Sequence, residues 1–176
     1  MFNYFPVAAV IKDTIYCSHS GFPEGLSIEA INTFKKPISP SENKSIAEIL
    51  WSQPNIYKED YKCNSNLNQS LLYRSLSFSS ESLTKFLNEN KLSMLIRSKD
   101  YCLNGFEKCF NNKVLTLFSS TNYCSSISND AAIIYVKRNH EIQPKMLTYD
   151  DTINTWNTKK ETLSIYPCSP RKFEKK

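Results

Sequence analysis

The stretch Phe5 to Phe22, FPVAAVIKDTIYCSHSGF, constrains the fold more than any other part of the chain. Val7 to Ile11 is a continuous β-branched and apolar run, the pattern of a strand buried on both faces. Lys12-Asp13 reads as a polar turn and Thr14 to Cys17 as a second short strand. Together they deliver His19 to a loop at the end of a sheet. Catalytic and metal-binding side chains concentrate on such loops, because a rigid scaffold positions them while leaving them accessible.

The remaining chain alternates between strand and helix signals. Ser27 caps a helix carrying Ile28, Ile31 and Phe34, which Pro37 stops. Ser45 and Glu48 have capping-box spacing and open a short helix through Leu50-Trp51, which ends at Pro54. Asn55 to Ser70 is polar and aperiodic, a long surface loop. Tyr73 to Phe78 alternates as a short extended segment. Ser80 to Asn90 places Leu83, Phe86 and Leu87 at helical spacing, the clearest helix in the chain. Leu92 to Ile96, Val114 to Phe118 and Ala131 to Val136 are strand candidates. Glu141 to Thr148 is expected to pair with the last of them through a turn at Arg138-Asn139-His140. This order favours a mixed α+β or α/β layered domain over a bundle.

Composition narrows the function classes. A chain of 176 residues with 40% hydrophobic and 22% charged side chains suits one domain with a real core. Its net charge of +5 owes much to the terminal Arg171-Lys172-Phe173-Glu174-Lys175-Lys176 run, and no basic-aromatic stripe or nucleic-acid motif is visible. No nucleic-acid partner is expected. Six cysteines, at 17, 63, 102, 109, 124 and 168, show no CxxC spacing, which favours reduced thiols and gives no zinc site. No apolar run approaches the ~20 residues of a membrane span, and the N-terminus lacks a basic n-region. The expected compartment is the cytoplasm, or the nucleus. Only Gly21, Gly25 and Gly105 are glycines. Such scarcity argues against loops that bring backbone close to phosphate.

Several blocks, in order and spacing, resemble the PPP-type serine/threonine protein phosphatases of the calcineurin-like metallophosphoesterase superfamily. They are Phe5-Pro6-Val7-Ala8-Ala9-Val10-Ile11, Cys17-Ser18-His19-Ser20-Gly21, Leu50-Trp51-Ser52-Gln53-Pro54, Leu92 to Asp100, and Leu117 to Tyr123. The resemblance is to the C-terminal half of that catalytic domain and covers residues 2–148. Residues 149–176 are expected to form a polar flexible tail. It implies a partial metallophosphoesterase β-sandwich with flanking helices. In the family two divalent metals (Mn, Fe or Zn) activate a water and neutralise the phosphoryl oxygens of a phosphoprotein substrate.

Carried over residue by residue, the resemblance implies that His19 matches one metal ligand, with Ser20 in place of a glycine. Lys99 stands where a second metal histidine belongs, and an ammonium has no lone pair for a metal. Gln53 replaces a carboxylate, and Arg74 is displaced from the phosphate-binding arginine. Asn122 and Tyr123 keep their block and would line the substrate pocket, with Thr121 in place of its proline. The family's upstream motifs are not in this sequence. The expectation is therefore a chain without catalytic residues of its own, holding no metal stably. It would be a phosphatase only with a complementary half, a pseudophosphatase that binds phosphoproteins or regulatory proteins, or a decayed gene product. Uncovered strands should promote self-association or low stability.

Overall fold

The computed structural model of this chain describes residues 2–56, 76–125, 128–150 and 155–159. It divides into two compact units, Met1–Lys99 and Asp100–Lys176.

In the first unit, β1 (Ala8–Ile11) and β2 (Ile15–Ser18) form an antiparallel hairpin with Ile11 opposite Ile15. Lys12 and Asp13 both take positive φ, at 50° and 57°, the twist that a tight hairpin demands of its turn residues. On its other side β2 pairs in parallel with β5 (Met94–Arg97), Tyr16 opposite Leu95. The sheet is therefore mixed, as expected of a layered α/β fold. Parallel pairing places the C-terminal ends of β2 and β5 on one edge, and His19 leaves the sheet there.

The apolar run that reads as doubly buried is instead an edge strand: Val10 and Ile11 are 38% and 39% exposed. Among the described residues β1 pairs only with β2, so its other edge has no strand partner there.

Among the described residues this unit carries three α-helices: α1 (Ile28–Asn32), α2 (Lys44–Trp51) and α3 (Ser80–Glu89). Ser27 caps α1 as its sequence indicates, accepting from the Ala30 amide at 3.2 Å. The cap of α2 is Asn43, not Ser45: the Asn43 side chain accepts from the Ile46 amide at 3.1 Å. Starting there lets Ile46, Ala47 and Ile49 all turn inward. In α3 a reciprocal capping box links Ser79 and Ser82, and Leu83, Phe86 and Leu87 are buried. Between α2 and α3 a two-residue parallel ladder joins β3 (Gln53–Pro54) to β4 (Ser77–Phe78). Most of the polar loop read from Asn55 to Ser70, and Tyr73 and Arg74, lie outside the described residues.

The core of this unit is aromatic. Phe22 stacks on Phe86 with centroids 4.7 Å apart, meets Phe78 edge-on at 5.0 Å, and Tyr16 meets Phe86 edge-on at 5.2 Å. Rings in these geometries add about 0.5–1.5 kcal/mol per pair beyond their area. Phe22 comes directly after the His19 loop, so the loop's exit is anchored in the deepest packing of the unit.

In the second unit β6 (Phe106–Cys109) and β7 (Val114–Leu117) form an antiparallel hairpin. A separate antiparallel sheet has the order β10 (Thr155–Lys159), β9 (Ile142–Asp150), β8 (Ala131–Val136). The β8–β9 turn contains His140, at φ 65° and exposed, as the hairpin reading places it. β10 falls inside the polar segment read as a tail from 149. It pairs antiparallel with β9, Trp156 opposite Tyr149. Gly105, at φ +74°, lies so close to β8 that a Cβ there would come within 2.3 Å of the Ala131 carbonyl carbon.

Among the described residues Cys17, Cys102, Cys109 and Cys124 form no disulfide, and no helix is long and apolar enough to cross a membrane.

Candidate functional site

His19 is exposed, one residue past the end of β2, and its carbonyl accepts from the Ser98 amide at 3.1 Å, just past the end of β5. That bond continues the parallel ladder by one step and lifts the imidazole to the strand-end edge. The loop then turns inward, where Ser20 is fully buried. The Ser20 and Gly21 amides both donate to the Ile49 carbonyl at 3.0 Å, and the Ser20 hydroxyl donates to the Ser52 carbonyl. The serine that replaces a glycine is thus accommodated, and is not among the residues at positive φ. The tight position is its neighbour: a Cβ on Gly21 would meet Ser52 Oγ at 1.9 Å and Phe78 Cε1 at 3.2 Å.

Arg97, Ser98 and Lys99 form the other side of this edge. Arg97 is buried and its Nε donates to the Ser20 carbonyl at 2.7 Å. Lys99, at φ 74°, extends its ammonium to the Trp51 carbonyl at the C-terminal end of α2, and sits 5.4 Å from the centroid of the Trp51 ring. The lysine that stands where the resemblance puts a metal histidine is half-buried and bonded to protein. A cation at a helix C-terminus is favoured by the exposed carbonyls of the last turn, and the indole face adds a cation–π attraction. Gln53 follows α2 and enters β3, its amide donating to the Leu76 carbonyl at 2.9 Å. The first unit therefore brings His19, Ser20, Lys99 and the Trp51 to Gln53 segment to one edge.

Asn122 and Tyr123 belong to the second unit. Asn122, at φ 49°, donates its amide to the Asn129 carbonyl at 3.2 Å, and the Tyr123 amide donates to Asn129 Oδ1 at 2.9 Å. Asn129 Nδ2 donates in turn to the Ser120 carbonyl at 2.7 Å and to the Asp130 carbonyl at 2.9 Å. This buried asparagine organises the loop. In the sequence it looks like one more residue of a polar turn; its one signal is a carboxamide that both accepts and donates, at a place where several loop amides and carbonyls need partners. The Tyr123 ring is 43% exposed, stacks on Tyr101 at 6.4 Å and meets Phe118 edge-on at 5.2 Å.

Burial pushes the Cys17 thiol up, and pushes the Tyr16 hydroxyl up further, with Cys17 adding a smaller repulsion. Cys17 therefore stays protonated near neutral pH and is a poor nucleophile. The residues near His19 do not fit the two-metal donor set that the resemblance implies. Among the described residues no group of three or more His, Cys, Asp and Glu converges, and the cation at Lys99 would repel a divalent ion.

The model of the calcineurin-like phosphoesterase family matches residues 1–98. The chain is 31% identical over 168 residues to a protein phosphatase 2A catalytic subunit of Dictyostelium discoideum, covering 95% of this chain and 49% of that protein. It is 29% identical over 149 residues to serine/threonine-protein phosphatase BSL2 of Arabidopsis thaliana, covering 84% of this chain and 14% of that one. A solved serine/threonine phosphatase from Saccharomyces cerevisiae, with similarity to human phosphatase PP5, shares the fold at a TM-score of 0.64 and 22% identity. The match covers 95% of this chain and 50% of that one. The chain thus spans about half the length of the first of these relatives or less. With a family model that matches more than half of its residues, the chain belongs to the calcineurin-like phosphoesterase family.

Proposed function

We propose that this chain is a serine/threonine-phosphatase-related domain that engages phosphoproteins or their regulators and does not hydrolyse a phosphomonoester by itself. Its relatives are serine/threonine phosphatases, and the family's chemistry uses divalent metals that polarise the phosphoryl group and activate water. The observation that carries the reading is Lys99, whose ammonium is engaged with the Trp51 carbonyl and ring on the same edge as His19. One histidine beside a fixed cation does not make a metal pair, so the chemical step lacks its activated water.

Release of phosphate from an aryl phosphate in the presence of manganese tests the reading. The expected rate equals that of His19→Ala; a rate that depends on His19 would overturn it. The exposed Tyr123 ring, backed by Tyr101 and Phe118, supports the binding part, because an aromatic surface held from behind loses little entropy on contact. A labelled phosphoserine peptide is expected to bind more weakly to Tyr123→Ala than to the unmodified chain, and equal binding removes that surface from the proposal.

A further inference from the structure

Three consecutive residues at the end of β5 each reach a different carbonyl on the strand-end edge: Arg97 Nε to Ser20, the Ser98 amide to His19, and Lys99 Nζ to Trp51. They span 77 residues of sequence in the first case and 48 in the last, so the tripeptide ties the His19 loop and the end of α2 to one strand. Lys99 holds its place with backbone in the left-handed region, φ 74°, which a side-chain-bearing residue adopts at a cost of about 1–2 kcal/mol unless its surroundings hold it there. The contacts that offset this are the helix-end carbonyl and the indole face, both of which favour a cation over any neutral side chain of equal length.

We infer that Lys99 is a built-in structural cation of this edge, clasping the end of α2 to the β5 end and supplying there the positive charge that an exchangeable metal ion would otherwise supply. The clasp stands on its own contacts. Only the comparison with a metal rests on the functional reading above. On this account the positive charge is part of the polypeptide, so the fold should be indifferent to metal ions and sensitive to the charge on residue 99.

Thermal unfolding of the full chain distinguishes the alternatives. Lys99→Met keeps the length and removes the charge; its melting temperature is expected to fall by about 3–6 °C, the shift for a loss of one to two charge-assisted contacts in a chain of this size. Lys99→Arg keeps a cation that can stack on indole and is expected to recover most of that loss. A general packing defect would not separate arginine from methionine. Manganese or a chelator is expected to move the unmodified chain by less than about 1 °C, whereas a ligand at about 100 times its dissociation constant would raise melting by roughly 5–10 °C.

Unchanged melting of Lys99→Met, or equal losses in the methionine and arginine variants, would overturn the clasp. A saturable stabilisation by manganese, or destabilisation by chelator, would overturn the role assigned to it in place of a metal. Turnover of the aryl phosphate is a separate readout: a His19-dependent rate with unchanged metal-independent melting removes the functional proposal and leaves the clasp intact.

Discussion

Two cations act at the His19 edge of the first unit, Arg97 donating to the Ser20 carbonyl and Lys99 to the Trp51 carbonyl at the end of α2. The Asn122–Tyr123 loop of the second unit is tied by one neutral amide, Asn129, which accepts from Tyr123 and donates to Ser120 and Asp130. Both solutions satisfy main-chain groups that a loop leaves unpaired, but they differ in what they demand. A cation on a carbonyl makes a stronger hydrogen bond and brings a desolvation cost with it. An amide makes weaker bonds and, because it both donates and accepts, closes a loop with a single side chain. The first unit therefore adds charge to the neutral bonds of the Ser20 and Gly21 amides and the Ser20 hydroxyl, whereas the second closes its loop with one neutral carboxamide.

The largest effect should come where neither chemistry can adjust. Gly105 in the second unit holds its loop against β8 with no room for a side chain: a Cβ would lie 2.3 Å from the Ala131 carbonyl carbon and 2.5 Å from the Ala132 nitrogen, at φ +74°. Gly105→Ala should cost about 3 kcal/mol or more, combining left-handed backbone strain with backbone overlap. Urea unfolding measures it, and a loss under about 1 kcal/mol would show that β8 can retreat.

Removing a buried charge of the first unit comes next. Arg97 is 2% exposed, and Arg97→Met leaves the Ser20 carbonyl without its guanidinium donor. A loss of about 2–3 kcal/mol is expected by equilibrium unfolding. Asn129→Ala should cost the second unit about 1–2 kcal/mol, and should change the near-ultraviolet circular dichroism of the Tyr101–Tyr123–Phe118 group, which the loop carries. If Asn129→Ala proves more damaging than Arg97→Met, charge is not what separates the two loops.

Much of this fold was legible because local pattern and tertiary burial agree. The spacing of Leu83, Phe86 and Leu87 marks α3 to within a residue, and all three are buried. Ala131 to Val136 is readable as β8 for the same reason. What stayed hidden depends on distant partners. Phe106–Cys109 reads FEKC, with two charges in four residues, and becomes β6 only because β7 offers it a ladder and the Phe110-Asn111-Asn112 turn takes positive φ throughout. Val10 and Ile11 are apolar, yet which neighbours a strand has is not written in the strand itself. The family blocks located His19, Lys99 and Tyr123, whereas the contact from Lys99 to a carbonyl 48 residues earlier and the role of Asn129 emerge only when the loops are closed.

The smallest expected effect bears on what lies beneath the charged loop. Tyr16 in β2 is fully buried against Phe86, and its hydroxyl has no hydrogen-bond partner among the described residues. Burial disfavours its ionised form, so its proton is held more tightly in the folded chain than in the unfolded one, and the same holds for Cys17 beside it. Above the unfolded values, about 8.5 for a thiol and 10 for a phenol, the folded chain binds more protons than the unfolded chain. Stability is then full below those values and falls as pH rises through them toward the folded ones. The urea midpoint should be flat to about pH 8.5, decline first with Cys17 and then more steeply with Tyr16. Tyr16→Phe removes the steeper part of that decline and, by deleting an unsatisfied buried hydroxyl, should leave the chain unchanged or up to about 1 kcal/mol more stable at neutral pH. An alkaline decline of the same steepness in Tyr16→Phe would place its origin outside β2, and would remove the pH response as a distinction between the two units.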